Sequence, residues 1–158
     1  MNMIMNRIGI EGPDAEISMQ QLQGTLVDLI DLGLQAKQAH WNVVGPRFRS
    51  VHLQLDDLAE ITHRFSDRIG ERIVTLGEPA EGSARAVDHQ SKLDPMPAEF
   101  TKDGRVVELM IERLAGVCTR IRQDLEGLGS RDPVGHDLLV ECLGKLEEQM
   151  WMFHVQAQ

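Results

Sequence analysis

The sequence predicts an all-α fold in which four long helices form a bundle and one long crossover joins its two halves. Apolar residues recur at steps of three and four along four segments, which is the spacing of a buried helix face. Good helix formers dominate these segments, and runs of β-branched residues are rare. With 158 residues the chain can form one domain with a sizeable core.

The first predicted helix begins with Ser18 as its N-cap and runs to about Asn42. We therefore divide the chain into an N-terminal tail, 1–17, and a helical domain, 18–158. The sequence VVGP, residues 43–46, ends the helix because glycine and proline together interrupt helical hydrogen bonding. The predicted inward face of this helix consists of Leu22, Leu26, Leu29, Gly33 and Ala36.

The second predicted helix runs from about Phe48 to Leu76, and Gly77 ends it. Thr62 is the one polar residue on its apolar stripe, and its hydroxyl is expected to bond a carbonyl one turn earlier. The apolar positions of the stripe are Val51, Leu55, Leu58, Phe65, Ile69, Ile73 and Leu76.

A long connection, 78–100, follows, and residues 83–90 within it are predicted to form a short helix.

The third long helix spans about Lys102 to Leu128, with Val107, Met110, Leu114, Val117, Ile121, Leu125 and Leu128 facing inward. Asp132 is expected to cap the fourth helix, which begins at Pro133 and runs to about Val155. Its core face is Leu139, Leu143, Leu146, Met150 and Phe153. Two short-loop hairpins joined by one long crossover make a ferritin-like bundle rather than an up-down-up-down one.

The composition is acidic, with a formal net charge of −9, which disfavours nucleic acids and anionic membranes as partners and suits the collection of cations.

Cys118 and Cys142 form no CxxC pair and lie within apolar helical patterns, so we expect small buried thiols in a reducing compartment. The N-terminal sequence lacks the pattern of a signal peptide, and no apolar run approaches the length of a membrane span. We therefore expect a cytoplasmic protein with no membrane partner.

A line of polar residues follows the second helix at steps of 4, 4, 3, 4 and 4: His52, Asp56, Glu60, His63, Asp67 and Glu71. The line contains only His, Asp and Glu, the ligand types of iron, manganese and zinc. From the pattern alone, an ordinary solvated helix face explains such a line equally well. The composition of the line, which contains no Lys, Arg, Ser or Gln, favours a metal site.

His52 and Glu71 are 19 positions apart, or about 28 Å along a straight helix, so they cannot share an ion within one chain. The set His52, Asp56, Asp67 and Glu71 is however symmetric about position 61.5. Two copies of the helix packed antiparallel around a twofold axis would bring the two ends together and make two equivalent sites. His40 could add an imidazole beside His52.

A metal site inside a single bundle is the rival hypothesis. It needs a Glu-x-x-His unit on each of two helices and a Glu from each of the others. The sequence has one such unit, Glu60 to His63, and no partner unit, and the first helix has no mid-helix Glu. The intersubunit site is therefore the better explanation.

Several motifs together resemble the Dps mini-ferritins (DNA-binding proteins from starved cells). They are QAHWNVVGPRF at 38–48, followed by His52 and Asp56, then DRIGERIVTLGEP at 67–79 and RDPVGHDLLVECLGKLEEQMWMF at 131–153. The resemblance runs from about Leu22 to Phe153. It implies a hollow homo-oligomer, a dodecamer, that oxidises Fe(II) at intersubunit sites, preferably with hydrogen peroxide, and stores Fe(III) mineral in its cavity.

By residue match, the resemblance implies that His40 and His52 come from one subunit and Asp67 and Glu71 from its neighbour. Asp56 matches a further carboxylate near the metal, and each site could take two iron ions. Trp41 matches an aromatic residue beside the centre, where it would act as a sink for stray oxidising equivalents. Simple packing explains Trp41 equally well. Glu126, Asp132 and Asp137 are candidates for the acidic residues of the family's iron-entry pores, with Asp137 preferred because Asp132 can also cap a helix.

Two other functions differ in class from a ferroxidase. A DNA-compacting protein of this family often uses tails rich in Lys and Arg, whereas the segment before Ser18 holds one Arg against three acidic residues and the last five residues hold no Lys or Arg. We therefore expect DNA binding to be weak or absent. A metal-dependent hydrolase of amides or esters could also use a carboxylate and histidine site, but the sequence has no nucleophile motif to support it.

Overall fold

A computed structural model describes residues 9–158 of the chain. Within this range there are five helices and two strands of two residues each. The helices are α1 (Pro13–Asn42), α2 (Phe48–Thr75), α3 (Ala84–Gln90), α4 (Asp103–Leu128) and α5 (Pro133–Gln156), and the strands are β1 (Val43–Val44) and β2 (Thr101–Lys102). Helix α1 packs on α2 and α4, and α5 packs on α4 and α2. The predicted all-α bundle with one long crossover is thereby confirmed.

Helix α1 begins six residues earlier than predicted, with Gly12 as its N-cap, so the assignment of Ser18 as the N-cap is wrong. Gly12 precedes the helix with φ 64°, and Pro13 occupies its first turn, where a missing N–H costs nothing. Ser18 is fully buried and donates a hydrogen bond from Oγ to the Asp14 carbonyl at 2.8 Å, which is a bond within the helix. The division into a tail, 1–17, and a domain, 18–158, stays a prediction, and residues 1–8 lie outside the described part.

The core is a continuous cluster of apolar side chains from all four long helices. Every residue of the apolar stripe predicted for the second helix is buried, and Thr62 is 1% exposed. The Thr62 hydroxyl donates to the Ala59 carbonyl at 2.9 Å, as predicted. Asp132 accepts a hydrogen bond from the Gly135 amide at 3.0 Å and so caps α5, which also agrees with the prediction.

The crossover contains the predicted short helix, α3, capped by Ser83. Buried polar groups fasten it to the bundle. Arg113 on α4 donates to the carbonyls of Asp94 and Pro95, and Asp28 on α1 accepts from the Lys92 amide at 3.1 Å. Because a buried guanidinium or carboxylate without partners is costly, these bonds hold the crossover in one path.

The sequence did not predict the two strands. Val43 pairs with Thr101 and Val44 with Lys102 in a parallel arrangement, which joins the end of α1 to the start of α4. Each strand has only two residues, too few to produce an alternating pattern. Of the helices in residues 9–158, none combines the length and apolar character that crossing a membrane requires.

Candidate metal centre

Two histidines meet where the first helical hairpin closes. His40 lies in the last turn of α1, and His52 lies in the second turn of α2. The short connection between the helices brings the two imidazole rings into a stack, with centroids 3.6 Å apart and an interplanar angle of 20°. The Phe48 ring lies against His52 at 4.8 Å. His40 is buried and His52 is half-buried, so neither ring is a freely solvated surface group.

Each histidine is held by a backbone carbonyl of the other. His40 Nδ1 lies 2.9 Å from the His52 carbonyl oxygen, and His52 Nδ1 lies 2.9 Å from the His40 carbonyl oxygen. A carbonyl oxygen only accepts, so each Nδ1 carries a hydrogen and each neutral ring has its lone pair on Nε2. Metal-binding histidines usually have this arrangement, in which one nitrogen donates to the protein and the other is available to the ion.

Asp56 lies next to the histidine pair, with Oδ1 3.5 Å from His40 Nδ1. Lys37 on α1 donates to the same oxygen from Nζ at 2.7 Å. The hydrogen bond from Lys37 lowers the pKa of Asp56, and the charge of Lys37 lowers it further, although desolvation partly opposes this shift. Asp56 is thus a carboxylate whose negative charge is paired with Lys37 beside the two histidines.

Lys37 is a charged residue near this centre that the sequence reasoning missed, as it also missed the contact of Phe48 with His52. Lys37 precedes His40 by three positions and Trp41 by four, so all three lie on neighbouring parts of one face of α1. Its Nζ is 5.8 Å from the centroid of the Trp41 ring. The helical spacing from His40 was the signal in the sequence that could have revealed it.

Trp41 is 66% exposed, so packing in the core of its own chain does not account for it. It borders an open groove between α1 and the crossover, with a volume of about 650 Å³, together with Leu34 and Met96. Leu34 is also exposed, at 59%. An indole on the surface beside the histidine pair is accessible both to solvent and to a second protein chain.

Asp67 and Glu71 are exposed near the other end of α2. They line an open depression of about 600 Å³ with Ser66, Gly70 and Ala80. At 19 positions from His52, Glu71 is about 28 Å away along the helix axis. Within residues 9–158 no three His, Cys, Asp or Glu side chains are grouped so that one chain could hold a metal ion. The chain thus carries two separated groups of candidate ligands, one of imidazoles and one of carboxylates, which we call the candidate half-sites.

The three candidate pore residues differ in burial. Glu126 and Asp137 are exposed near the connection between α4 and α5. Asp132 is 0% exposed and forms a bidentate ion pair with Arg72, with distances of 2.5 and 3.2 Å. Besides capping α5, Asp132 therefore links α2 to α5 inside the bundle, and only Glu126 and Asp137 remain accessible candidates for a pore.

Comparisons with known proteins give a consistent result. A model of the ferritin-like domain matches residues 19–158. The DNA protection during starvation protein of Agrobacterium fabrum is 34% identical over 138 residues, which cover 87% of this chain and 85% of that protein. The protein of the same name from Mycolicibacterium smegmatis is also 34% identical, over 152 residues that cover 95% of this chain and 82% of that one.

Solved structures agree with the sequence comparison. Dps92 from Deinococcus radiodurans superposes with a TM-score of 0.89 and 33% identity, covering 91% of this chain and 87% of that one. The tetragonal form of Mycobacterium smegmatis Dps gives a TM-score of 0.92 and 30% identity, covering 97% and 93%. The similarity therefore covers nearly the whole chain.

Proposed function

The chain belongs to the Dps family of ferritin-like proteins, and from that premise we propose that it is an iron-storage ferroxidase. In this proposal Fe(II) is the substrate, hydrogen peroxide is the preferred oxidant, and Fe(III) mineral is held inside a shell of twelve chains. The reaction takes place at twofold interfaces, where His40, His52 and Asp56 of one chain face Asp67 and Glu71 of its neighbour. Removing Fe(II) and peroxide together prevents the formation of hydroxyl radicals and so protects the cell.

The observation that carries the proposal is the orientation of the two imidazoles. Their Nδ1 atoms are occupied by backbone carbonyls, which leaves two Nε2 atoms as adjacent donors for Fe(II). Asp67 and Glu71 are exposed and far from this pair within the chain, as a site shared between chains requires. Hard carboxylates favour Fe(III), and imidazole contributes to the binding of Fe(II).

The overall reaction balances with water as the only further reagent. Two Fe(II) ions each lose one electron, and hydrogen peroxide takes both electrons and two protons to become two water molecules. Hydrolysis of the Fe(III) ions by water, as the mineral forms, releases more protons than this step uses. The residues of this chain bind and orient the ions. The histidine pair presents neutral nitrogen donors, and the partner carboxylates lower the cost of the added positive charge on each ion.

Two further residues beside the centre have separate roles in the proposal. Asp56 stays ionised beside the histidines because of Lys37, so it can attract Fe(II) to the centre. Trp41 lies exposed beside Lys37 and could supply an electron when only one iron is bound, which would prevent release of a radical. The role of Asp56 needs a negative charge, and the role of Trp41 needs an oxidisable ring. Asp56→Asn removes only the charge and Trp41→Phe removes only the oxidisable ring, so the two variants test the two roles separately.

A subunit-mixing experiment tests the shared site. His52→Ala and Asp67→Ala each damage one half-site, so each variant alone should oxidise Fe(II) more slowly by more than about tenfold. When both chains are co-expressed, every mixed interface keeps one intact site, so random pairing should restore about a quarter of the sites. The measurement is the near-ultraviolet absorbance of Fe(III) after peroxide is added to anaerobically loaded protein, with a protein-free control.

Matched controls are available on the same chain. Asp57→Ala alters an exposed aspartate next to Asp56 but outside the polar line, and His154→Ala alters an exposed histidine far from it along the chain. Both should oxidise Fe(II) as the unmodified protein does. No recovery on mixing, in assemblies shown by size to contain both chains, would show that the two half-sites do not combine.

A further inference from the structure

Two residues in the middle of the polar line of α2 have no role in the ferroxidase centre. Glu60 and His63 are both exposed. Neither side chain forms a hydrogen bond, ion pair or ring contact with any other residue in the range 9–158. They are three positions apart and therefore lie one above the other on the same face of the helix. A carboxylate and an imidazole at this spacing can bind one metal ion from a single helix.

The symmetry of the line decides where a second such pair is found. Positions 60 and 63 have the same midpoint, 61.5, as positions 52 and 71 and positions 56 and 67. If the ferroxidase half-sites meet across a twofold axis, that axis passes α2 between Glu60 and His63. His63 of one chain then lies beside Glu60 of the second chain, and the converse pair lies next to it.

We propose that two Glu60 and two His63 side chains from a pair of chains bind one divalent transition-metal ion on the twofold axis. This inference rests on the proposed function, because it uses the same antiparallel pairing of α2. Two nitrogens and two carboxylate oxygens are a ligand set for four-coordinate Zn²⁺ or Co²⁺. The ion is distinct from the iron at the ferroxidase centres, and it links the two chains that build those centres.

The surface beside His63 is a groove between two helices of the chain. His63 borders a cavity of about 250 Å³ between α1 and α2, which is lined mainly by small and apolar residues: Leu29, Ile30, Gly33, Leu34, Ala59, Thr62 and Ser66. The Ser66 hydroxyl is buried there and has no hydrogen-bond partner among the described residues. Gly33, Ala59 and Ser66 are small and would allow another helix to approach this groove closely. Four ligands around one ion require such a close approach.

Neither Lys37 nor Arg64, the two cationic residues nearest this pair in the sequence or the groove, forms an ion pair with Glu60. Lys37 also borders this cavity, but its ammonium group is bonded to Asp56 at 2.7 Å. The guanidinium of Arg64 lies 6.0 Å from the centroid of the Phe65 ring. The carboxylate of Glu60 is therefore not neutralised by either of them and can bind a metal ion.

Cobalt(II) binding in a His52→Ala background tests the proposal, because that change disables the ferroxidase centres. Calorimetric titration of the assembled variant with Co²⁺ should show one ion per two chains, with the strong visible absorption of four-coordinate Co²⁺. Adding His63→Ala or Glu60→Gln should abolish that ion and its absorption, whereas adding His89→Ala, an exposed histidine on α3, should not. Gel filtration of every variant verifies that the assembly persists.

The outcomes separate the two proposals. If His52→Ala alone leaves Fe(II) oxidation unchanged, the ferroxidase proposal fails whatever the cobalt result. If His52→Ala slows oxidation but His63→Ala and Glu60→Gln leave the cobalt stoichiometry unchanged, the axial site does not exist. A weak absorption typical of six-coordinate Co²⁺ would also contradict the four-ligand site.

Discussion

At the scale of single residues, Asp132 illustrates how a buried charge is made tolerable. It is completely buried, yet it accepts from the Gly135 amide and from two nitrogens of Arg72, so its carboxylate is satisfied on both oxygens. Arg72 itself is only 11% exposed. Both groups give up hydrogen bonds to water when they are buried, and the bonds between Asp132 and Arg72 replace them.

Asp132→Ala should lower the free energy of unfolding by about 3–5 kcal/mol, since it leaves Arg72 unpaired and removes the cap of α5. Asp132→Asn keeps an oxygen for the Gly135 amide and should cost less. Urea unfolding followed by circular dichroism measures both. Asp137→Ala, an exposed aspartate five residues further on, is the control and should change stability by less than about 0.5 kcal/mol. A cost for Asp132→Ala as small as that of Asp137→Ala would contradict the buried pair.

Asp103 gives a prediction about pH. The Arg47 amide donates to its Oδ2 at 2.6 Å and lowers the pKa of this carboxyl, and the Gly104 amide lowers it further. A lowered pKa stabilises the fold above the unfolded value of about 3.9, and that contribution is lost as pH falls through the folded pKa.

Asp103→Asn should therefore be less stable than the unmodified protein at pH 7, and the difference should shrink as the pH falls below about 5. Thermal unfolding across this range measures it. Asp57→Asn, on an exposed residue, should follow the unmodified protein at every pH. A constant difference between Asp103→Asn and the unmodified protein would mean that the carboxylate charge has no part in stability.

At the scale of elements, α1 and α2 approach each other closely where glycine meets threonine. A methyl group at Gly33 would lie 2.6 Å from the Thr62 hydroxyl oxygen and 3.5 Å from its Cβ. Thr62 cannot easily move, because it is 1% exposed and bonded to the Ala59 carbonyl. The helical hairpin that carries both histidines therefore depends on the absence of a side chain at position 33.

Gly33→Ala should lower the free energy of unfolding by about 1–3 kcal/mol despite the better helix propensity of alanine. Thr62→Ala removes the obstructing hydroxyl, so the double variant should be more stable than the sum of the two single changes implies, by about 1 kcal/mol. Gly24→Ala on the same helix, where a methyl group meets nothing within 4 Å, should stabilise the protein. Additive effects of Gly33→Ala and Thr62→Ala would show that the two helices are not in contact there.

At the scale of the whole molecule, the balance of charge affects what the assembly binds. Each chain carries a formal net charge of −9, and an oligomer multiplies it. Binding to DNA depends on the neutralisation of phosphates by Lys and Arg, and neither end of the sequence is rich in them. We therefore predict that the acidic charge of the chain disfavours binding to DNA, although the chain is similar to proteins named for DNA protection.

The assembled protein should give no band shift with linear duplex DNA at roughly 0.1 M salt. Adding a run of lysines at the N-terminus provides a positive control on the same shell and should produce a shift that disappears as salt is raised. Retardation of DNA by the unmodified protein at this salt concentration would contradict the expectation and indicate a basic surface elsewhere on the shell.

The sequence by itself determined the helices of this protein. Apolar steps of three and four located α2, α4 and α5 to within one residue of their ends, because a helix face in a core imposes that period on the chain. Capping chemistry was right for Asp132, whose carboxylate accepts from the Gly135 amide in the first turn of the helix that Pro133 begins. It was wrong for Ser18, whose hydroxyl can bond either a free amide or a carbonyl within a helix.

Only the tertiary structure decided which side chains the helices bring together. The reciprocal bonds between the His40 and His52 rings and their carbonyls, the bond from Lys37 to Asp56 and the burial of Asp132 against Arg72 all join residues whose distance depends on how two helices cross. A repeating pattern records which face of a helix is buried, but it does not record the neighbour that buries it. For the same reason the proposed meeting of Asp67 and Glu71 with the histidines needs a second chain, and the structure of one chain does not decide it.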